Sequence, residues 1–321
     1  MTGKTLVAFL FTLMSIQTIE AGSLEQARLL IDQGRHVEAR EIAIDLTQHE
    51  TAAGAACALV GRTYFEEGDF RVATEWFERA IEREPNESQH HRWLGRACAE
   101  RATTASIFKK PGLASRSRKA LEKAIELEPA NVKARHDLIV FYLNAPKMMG
   151  GSRDRAVEQA EEIRRRDAAR GHLAWAMIHD RDDNLDELER EYRAAIDRFP
   201  QLTEAWFGLG YLQQRREDYD GAFSTFAEMQ KRFPDEMGAA YQIGRNGALS
   251  GRHLIEAEKA LLRYLEYAPQ RDEPSLADAH WRLGLVYEHL KRRDAARGSF
   301  EASLRLDPKH AQARAELKRL K

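Results

Sequence analysis

Apolar side chains recur along this chain at helical rather than alternating spacing. Tyr64, Phe77, Leu94, Leu209, Phe226, Leu283, Tyr287 and Phe300 each belong to an apolar stripe on an otherwise polar segment, the pattern of a helix with one buried face. Gly34, Gly68 and Gly251 stand between paired stripes, where left-handed backbone ends a helix cheaply. Pro85, Pro129, Pro200, Pro234, Pro269 and Pro308 follow the second stripe of a pair and stop it. Pro200 and Pro234 lie 34 residues apart, and Pro234 and Pro269 lie 35 apart. A period of about 34 residues belongs to a two-helix unit, so the pattern predicts an all-α chain of helical hairpins.

Within these windows the same residue types return in register. Trp206-x2-Leu209-Gly210 is followed by Ala222-x3-Phe226 and Pro234; Val60-Gly61-x2-Tyr64 by Ala73-x3-Phe77 and Pro85; Leu283-Gly284-x2-Tyr287 by Ala296-x3-Phe300 and Pro308. Gly61, Gly95, Gly210, Gly244 and Gly284 leave room where two helices of a hairpin cross, and Ala80 and Ala124 do the same on the second helix. In these positions the chain resembles the tetratricopeptide repeat, from about Ser23 to Pro308. The resemblance implies a right-handed α-solenoid, a superhelix of antiparallel hairpins. Its units would fall near 23–52, 54–87, 88–131, 132–168, 169–202, 203–236, 237–270 and 277–310. Residues 311–321 would be a charged cap over the apolar face of the last hairpin. One hairpin cannot bury its own core, so residues 22–321 are expected to fold together as a repeat domain.

Two units are longer than the rest. The third carries extra residues in the region Ala102 to Ser115, which includes Ile107-Phe108-Lys109-Lys110-Pro111-Gly112. The fourth carries them in Ala145-Pro146-Lys147-Met148-Met149-Gly150-Gly151. Insertions at equivalent places in adjacent repeats map to loops on one face, often a binding face. The alternative is a longer first helix with the Ile, Phe and Met side chains packed on each other.

Composition narrows the function. Lys and Arg total 50 against 51 Asp and Glu, and the isoelectric point lies near 6.9. No net field is available to hold a polyanion, so nucleic acid is not expected as a partner. The first 21 residues differ from the remainder: Lys4 precedes an apolar run from Leu6 to Ile16, followed by polar residues ending Ile19-Glu20-Ala21. That is the layout of an export signal, with cleavage expected after Ala21, and it predicts a periplasmic or secreted protein without an integral membrane span in its mature chain. An uncleaved anchor is the competing reading, because Ile19 is larger than the usual residue two before a cleavage point. The only cysteines, Cys57 and Cys98, fall on first helices of neighbouring units, out of phase by about 10 Å at 1.5 Å per residue, and are expected to be separate buried thiols.

The chain shows no arrangement for catalysis. It lacks GxSxG, HExxH and GxxxxGK[ST]. Gly150-Gly151-Ser152 has neither the preceding strand nor the lysine of a phosphate loop. His172 and His179 share a helix face but stand two turns apart, about 10 Å, too far to converge on one ion. Asp180, Asp182, Asp183 and Asp186 are placed to favour the next helix amino terminus. No enzyme activity, cofactor or metal is expected.

In the tetratricopeptide family the first helix of each unit lines a concave groove, and the resemblance implies that positions two, five, nine and twelve of each unit face it. The amino-terminal units place Arg62, Phe65, Gln89, Arg92, Arg96, Lys133 and His136 there. The carboxy-terminal units place Glu204, Phe207, Tyr211, Gln214, Tyr241, Arg245, Trp281 and Glu288. Arg and large aromatics dominate binding hot spots, which singles out Arg62, Arg92, Arg96, Lys133, Phe207, Tyr211, Tyr241, Arg245 and Trp281. A basic first half and an aromatic second half suit a peptide with an acidic stretch and apolar anchors. The clamp by which some family members hold an acidic chain terminus is not reproduced, since no Asn matches Arg92 and Arg96. The expected function is a non-catalytic scaffold that holds another protein or a peptide outside the cytoplasm, in envelope assembly, secretion or protein maturation. The alternative is an accessory subunit docked on a membrane-bound enzyme or transporter through the loops 102–115 and 145–153.

Overall fold

A computed structural model describes residues 21–49, 51–270 and 273–320. Residues 1–20, on which the expected export signal rests, lie outside the described residues. Among the described residues the regular elements are helices, and none is long and apolar enough to cross a membrane. They form two compact units, the first ending at Ala174 and the second beginning at Trp175.

The first unit contains α1 (21–32), α2 (His36–Leu46), α3 (Ala53–Glu66), α4 (Phe70–Arg83), α5 (Ser88–Thr104), α6 (Lys110–Leu127), α7 (Val132–Asn144) and α8 (Arg153–Arg166). The boundary falls inside α9 (Ala168–Arg181). The second unit continues with α10 (Leu185–Arg198), α11 (Thr203–Arg215), α12 (Tyr219–Arg232), α13 (Met237–Ser250), α14 (Leu254–Leu265), α15 (Leu276–His289), α16 (Arg293–Leu306) and α17 (Ala311–Arg319). Within each unit a helix packs on its neighbour in sequence. First helices also meet the next first helix, as α3 does α5, α5 does α7, and α13 does α15. Each unit is thus a run of helical hairpins stacked through their first helices.

Local chemistry sets the helix ends. Asp69, Asn131, Asn184, Asp218 and Ser275 accept hydrogen bonds from backbone N–H groups two or three residues into the helices they precede. Between the helices of a hairpin the backbone turns left-handed, at Gly34, Gly68 and Gly251 but also at Asp183, Glu217 and Lys291, with φ of 54°, 60° and 61°. The core repeats one contact. A Cβ on Gly61, Gly210 or Gly284 would strike the ring of Phe77, Phe226 or Phe300 respectively, and each of those rings is fully buried. Gly95 and Gly244 accommodate Leu121 and Leu261 in the same way. The small residue lets the helices approach, and the large one fills the layer.

Ion pairs link successive hairpins of the second unit at nearly constant separation. Arg215 reaches Asp180 and Asp183 at 2.7 and 2.6 Å, Arg216 reaches Asp186 and Glu189 at 2.6 and 2.7 Å, and Arg292 reaches Glu258 at 2.9 Å. Arg252 pairs with Asp220, and Arg319 with Glu288. Of the aspartates placed by sequence at the α10 amino terminus, Asp186 lies in its first turn, Asn184 makes the cap, and Asp180 and Asp183 hold Arg215.

The longer third hairpin grows mainly within its helices. α5 has 17 residues and α6 has 18, against 14 in α4, and residues 105–109 join them. Ile107 and Phe108 in that join are 71% and 92% exposed, so they do not pack into a small core of their own. The fourth hairpin turns through a short 3-10 segment, Lys147–Met149, closed by Gly150 at φ 100°. Cys57 and Cys98 are buried free thiols, and burial pushes both upward, Cys98 to about 11.

Candidate functional site

On the second unit, α11 and α13 lie side by side, and the residues between their exposed edges form two adjoining cavities. Phe207 and Tyr211, one turn apart on α11, stack with ring centroids 6.0 Å apart. Both lean on Phe226 beneath, at 6.2 and 6.0 Å. Gly238 at the start of α13 makes room for the Phe207 ring, whose Cζ would lie 2.9 Å from a Cβ there. Tyr211 remains 46% exposed, so one side of its ring is open to a ligand.

The first cavity, of about 510 Å³, has Phe207, Tyr211, Gly238 and Gln242 as its walls and Glu236, Glu273 and Pro274 as its rim. Among the described residues the Glu236 carboxylate has no hydrogen-bond or ion-pair partner, and Glu273 accepts from the backbone N–H of Gln270 at 2.6 Å. The second cavity, of about 430 Å³, is bounded by Tyr211, Gln214, Tyr241, Gln242 and Leu249, with Arg215 and Arg245 as its charges. Arg245 donates to the side-chain oxygens of Gln214 and Gln242 and, among the described residues, to no carboxylate, while Arg215 is held by Asp180 and Asp183. Tyr211 and Gln242 belong to both cavities. Burial raises the Tyr211 phenol above its usual value; Arg245 draws it down and Glu236 pushes it up. An acidic and a basic recess therefore stand on either side of one tyrosine.

A buried polar line supports this face. Gln214 donates to Asn246 Oδ1 at 3.5 Å, and fully buried Asn246 donates to the Tyr219 carbonyl at 2.8 Å. These bonds fix Gln214, which in turn fixes Arg245.

Tyr241 and Trp281 sit differently. Tyr241 lines the second cavity but is only 6% exposed; its ring lies 5.3 Å from that of Tyr264, and burial raises its phenol above the usual value while nearby Arg282 draws it down. Trp281 packs toward Phe300 and Leu320, 5.5 Å from the His310 ring, with Arg282 over its face at 3.9 Å. Both seal joins between hairpins.

On the first unit, Arg62, Arg92 and Arg96 gather on Trp93, their guanidinium carbons 5.2, 5.5 and 4.5 Å from its ring. Arg96 also lies 4.9 Å from the Phe65 ring, and that ring meets Trp93 edge-on at 5.4 Å. Arg92 pairs with Asp137 at 2.6 Å and Arg62 with Asp32 at 3.4 Å. Arg96 has no carboxylate within ion-pair distance among the described residues, and burial lowers its affinity for a proton while Asp137 opposes that. Lys133 is exposed on α7, outside this stack. Among the described residues no three His, Cys, Asp or Glu side chains converge as a metal would require.

Gln242, Glu236, Glu273 and Pro274 were not among the positions singled out by sequence. A signal existed for Gln242: with Asn246 it forms a polar pair one turn apart in a helix otherwise made mostly of small and apolar residues, Arg245 and Ser250 apart.

The sequence model of the tetratricopeptide repeat matches residues 61–106, 173–236 and 277–310. No curated protein matches the chain in sequence. A tetratricopeptide repeat protein of Thermus thermophilus, TTC0263, is similar in structure with a TM-score of 0.52 at 17% identity, over 61% of this chain and 99% of that one. Pseudomonas aeruginosa pilF gives a TM-score of 0.49 at 15% identity, over 73% and 97%. YrrB, a tetratricopeptide repeat protein described as having an unusual peptide-binding site, gives 0.39 at 15% identity, over 75% and 97%.

Proposed function

This chain is a tetratricopeptide repeat protein, and from that premise we propose that it is a non-catalytic scaffold whose α11–α13 face holds an extended segment of another protein. The observation that carries this reading is the pairing of two unneutralised charges of opposite sign, Glu236 and Arg245, across exposed Tyr211. A ligand stacked on Phe207 and Tyr211 would place a basic side chain against Glu236 and Glu273 and a carboxylate against Arg245. Glu236 and Arg245 stand nine residues apart along α13, about 13.5 Å along its axis at about 1.5 Å per residue, a span an extended peptide covers in about four residues at about 3.3 Å each. The ligand class is therefore an extended segment with a basic and an acidic residue about four positions apart and an apolar or aromatic residue between them. The sequence of residues 1–21 supports a place of action outside the cytoplasm, with envelope assembly, secretion or maturation of exported proteins as its setting.

Selection of binding peptides from a random library on the immobilised protein, followed by titration calorimetry of the enriched peptides, tests this reading. Enriched peptides are expected to share a basic and an acidic residue about four positions apart and to lose binding to Tyr211→Ala and Arg245→Ala proteins. Enrichment of peptides with no charge pattern, or equal binding by the variants, overturns it.

A second reading, docking at a membrane-bound complex through the loops 102–115 and 145–153, is favoured by the exposure of Ile107, Phe108 and Met148.

A further inference from the structure

The two insertions of the first unit meet. Pro111, Ser115 and Arg118 of α6 and Lys147, Met148 and Ser152 of the following hairpin line one cavity of about 500 Å³. The place they share has an unusual surface. Ile107, Phe108 and Met148 are 71%, 92% and 88% exposed, the three most exposed large apolar side chains of the described chain. In a protein whose charges otherwise balance, residues 101–121 hold six Lys or Arg and residues 138–153 hold two, and neither stretch contains Asp or Glu. Some of these cations are used internally: Arg116 pairs with Glu78, Arg118 with Glu122 at 2.8 Å, and Lys110 donates to the Thr103 carbonyl at 3.2 Å. Lys109 and Lys147, each adjoining an exposed apolar residue, have no side-chain partner among the described residues.

We propose that this tip is a peripheral docking site for an anionic lipid surface. Phe108, Ile107 and Met148 enter the boundary between headgroups and acyl chains, and Lys109 and Lys147 meet the lipid phosphates. A protein partner would need acids to face the lysines and also a pocket for each side chain; a bilayer offers both in one laterally fluid surface. Apolar residues alone would bind weakly and without preference for charge, and lysines alone would be screened by salt. Their adjacency on two short turns gives a contact that needs both. The proposal is independent of the α11–α13 face, which lies in the other compact unit.

The full chain is mixed with equimolar phosphatidylglycerol–phosphatidylcholine vesicles and with pure phosphatidylcholine vesicles, and bound protein is measured by co-sedimentation. Native protein is expected to bind the anionic vesicles and to lose affinity with added salt. Replacing both lysines, K109Q with K147Q, is expected to weaken binding by about fivefold per charge. F108S with M148S is expected to weaken it by at least about tenfold. All four side chains are exposed or partnerless, and unchanged helical circular dichroism confirms that the variants fold. Equal binding to both vesicle types, no binding by the native chain, or undiminished binding by the variants overturns the proposal. The last outcome assigns membrane binding to the apolar run at residues 6–16 instead. Self-association abolished by F108S, without vesicle binding, assigns the tip to a contact between copies and equally overturns it.

Discussion

The Tyr211 hydroxyl accepts a hydrogen bond from Gln242 Nε2 at 3.2 Å, and this bond joins α11 to α13 at the ridge between the acidic and the basic cavity. Changing Tyr211 to Phe keeps the ring and removes the bond, so peptide affinity should fall by only a few-fold, on the scale of about 1 kcal/mol. Changing it to Ala removes the ridge and should cost about 2 kcal/mol or more in binding, as anchor aromatics do. Calorimetry with an enriched peptide separates the two. Equal losses would show that the ring itself contributes nothing.

Gly210 lies against the face of Phe226, and the methyl of an alanine there would occupy the space of the ring. Phe226 is fully buried and cannot swing into solvent. Gly210→Ala should therefore destabilise the protein by about 1–3 kcal/mol, the usual cost of overpacking a filled core. A urea midpoint unchanged from that of the native chain would contradict the packing described above.

Lys291 turns the α15–α16 hairpin with φ at 61°, where Gly34, Gly68 and Gly251 serve in other hairpins. Its side chain is exposed and makes no ion pair among the described residues. Lys291→Gly should remove the left-handed strain, worth about 1–2 kcal/mol, and restore part of it as chain entropy, for a net gain below about 1 kcal/mol. Thermal melting reads the sign, and a lower midpoint would refute the expectation.

Burial holds the His280 imidazole below its ordinary value of 6.5, and Arg305 adds to that. Its Nδ1 is enclosed without a partner. On acidification the unfolded chain takes up this proton first, so stability should fall as pH drops through 6.5 toward the lower folded value, and be unaffected above it. His280→Gln should make that fall shallower. Denaturant midpoints at pH 7.5 and 5.5 measure it; parallel declines in the two proteins would assign the effect to other histidines.

The hairpin fold was legible because its determinants are local. The spacing of Gly210 to Phe226, or Gly284 to Phe300, is set by one turn between two helices, and the prolines mark the period. The candidate site was legible only where it lies on one helix. Phe207, Tyr211 and Arg245 fall on the α11 and α13 faces that repeat position assigns them. Glu236 and Glu273 enter from inter-helix connections, 37 residues apart, whose course no helical register encodes. Tyr241 shows the other limit. Register fixes the side of the helix from which it projects, but whether the space there is open depends on Tyr264 and Arg282 in the following elements.

The arginine pairs of the second unit also act as a measure of length. Most are substantially exposed, and each is worth only about 0–1 kcal/mol. Yet each arginine finds its acid some 27 to 35 residues upstream, close to one repeat. Loss or gain of a whole repeat returns every arginine to a carboxylate in the same place, whereas a shift of one residue within a helix turns it about 100° away. Repeat number is thus free to change where spacing within a repeat is not, and a chain of this kind can lengthen by duplication without relearning how its hairpins join.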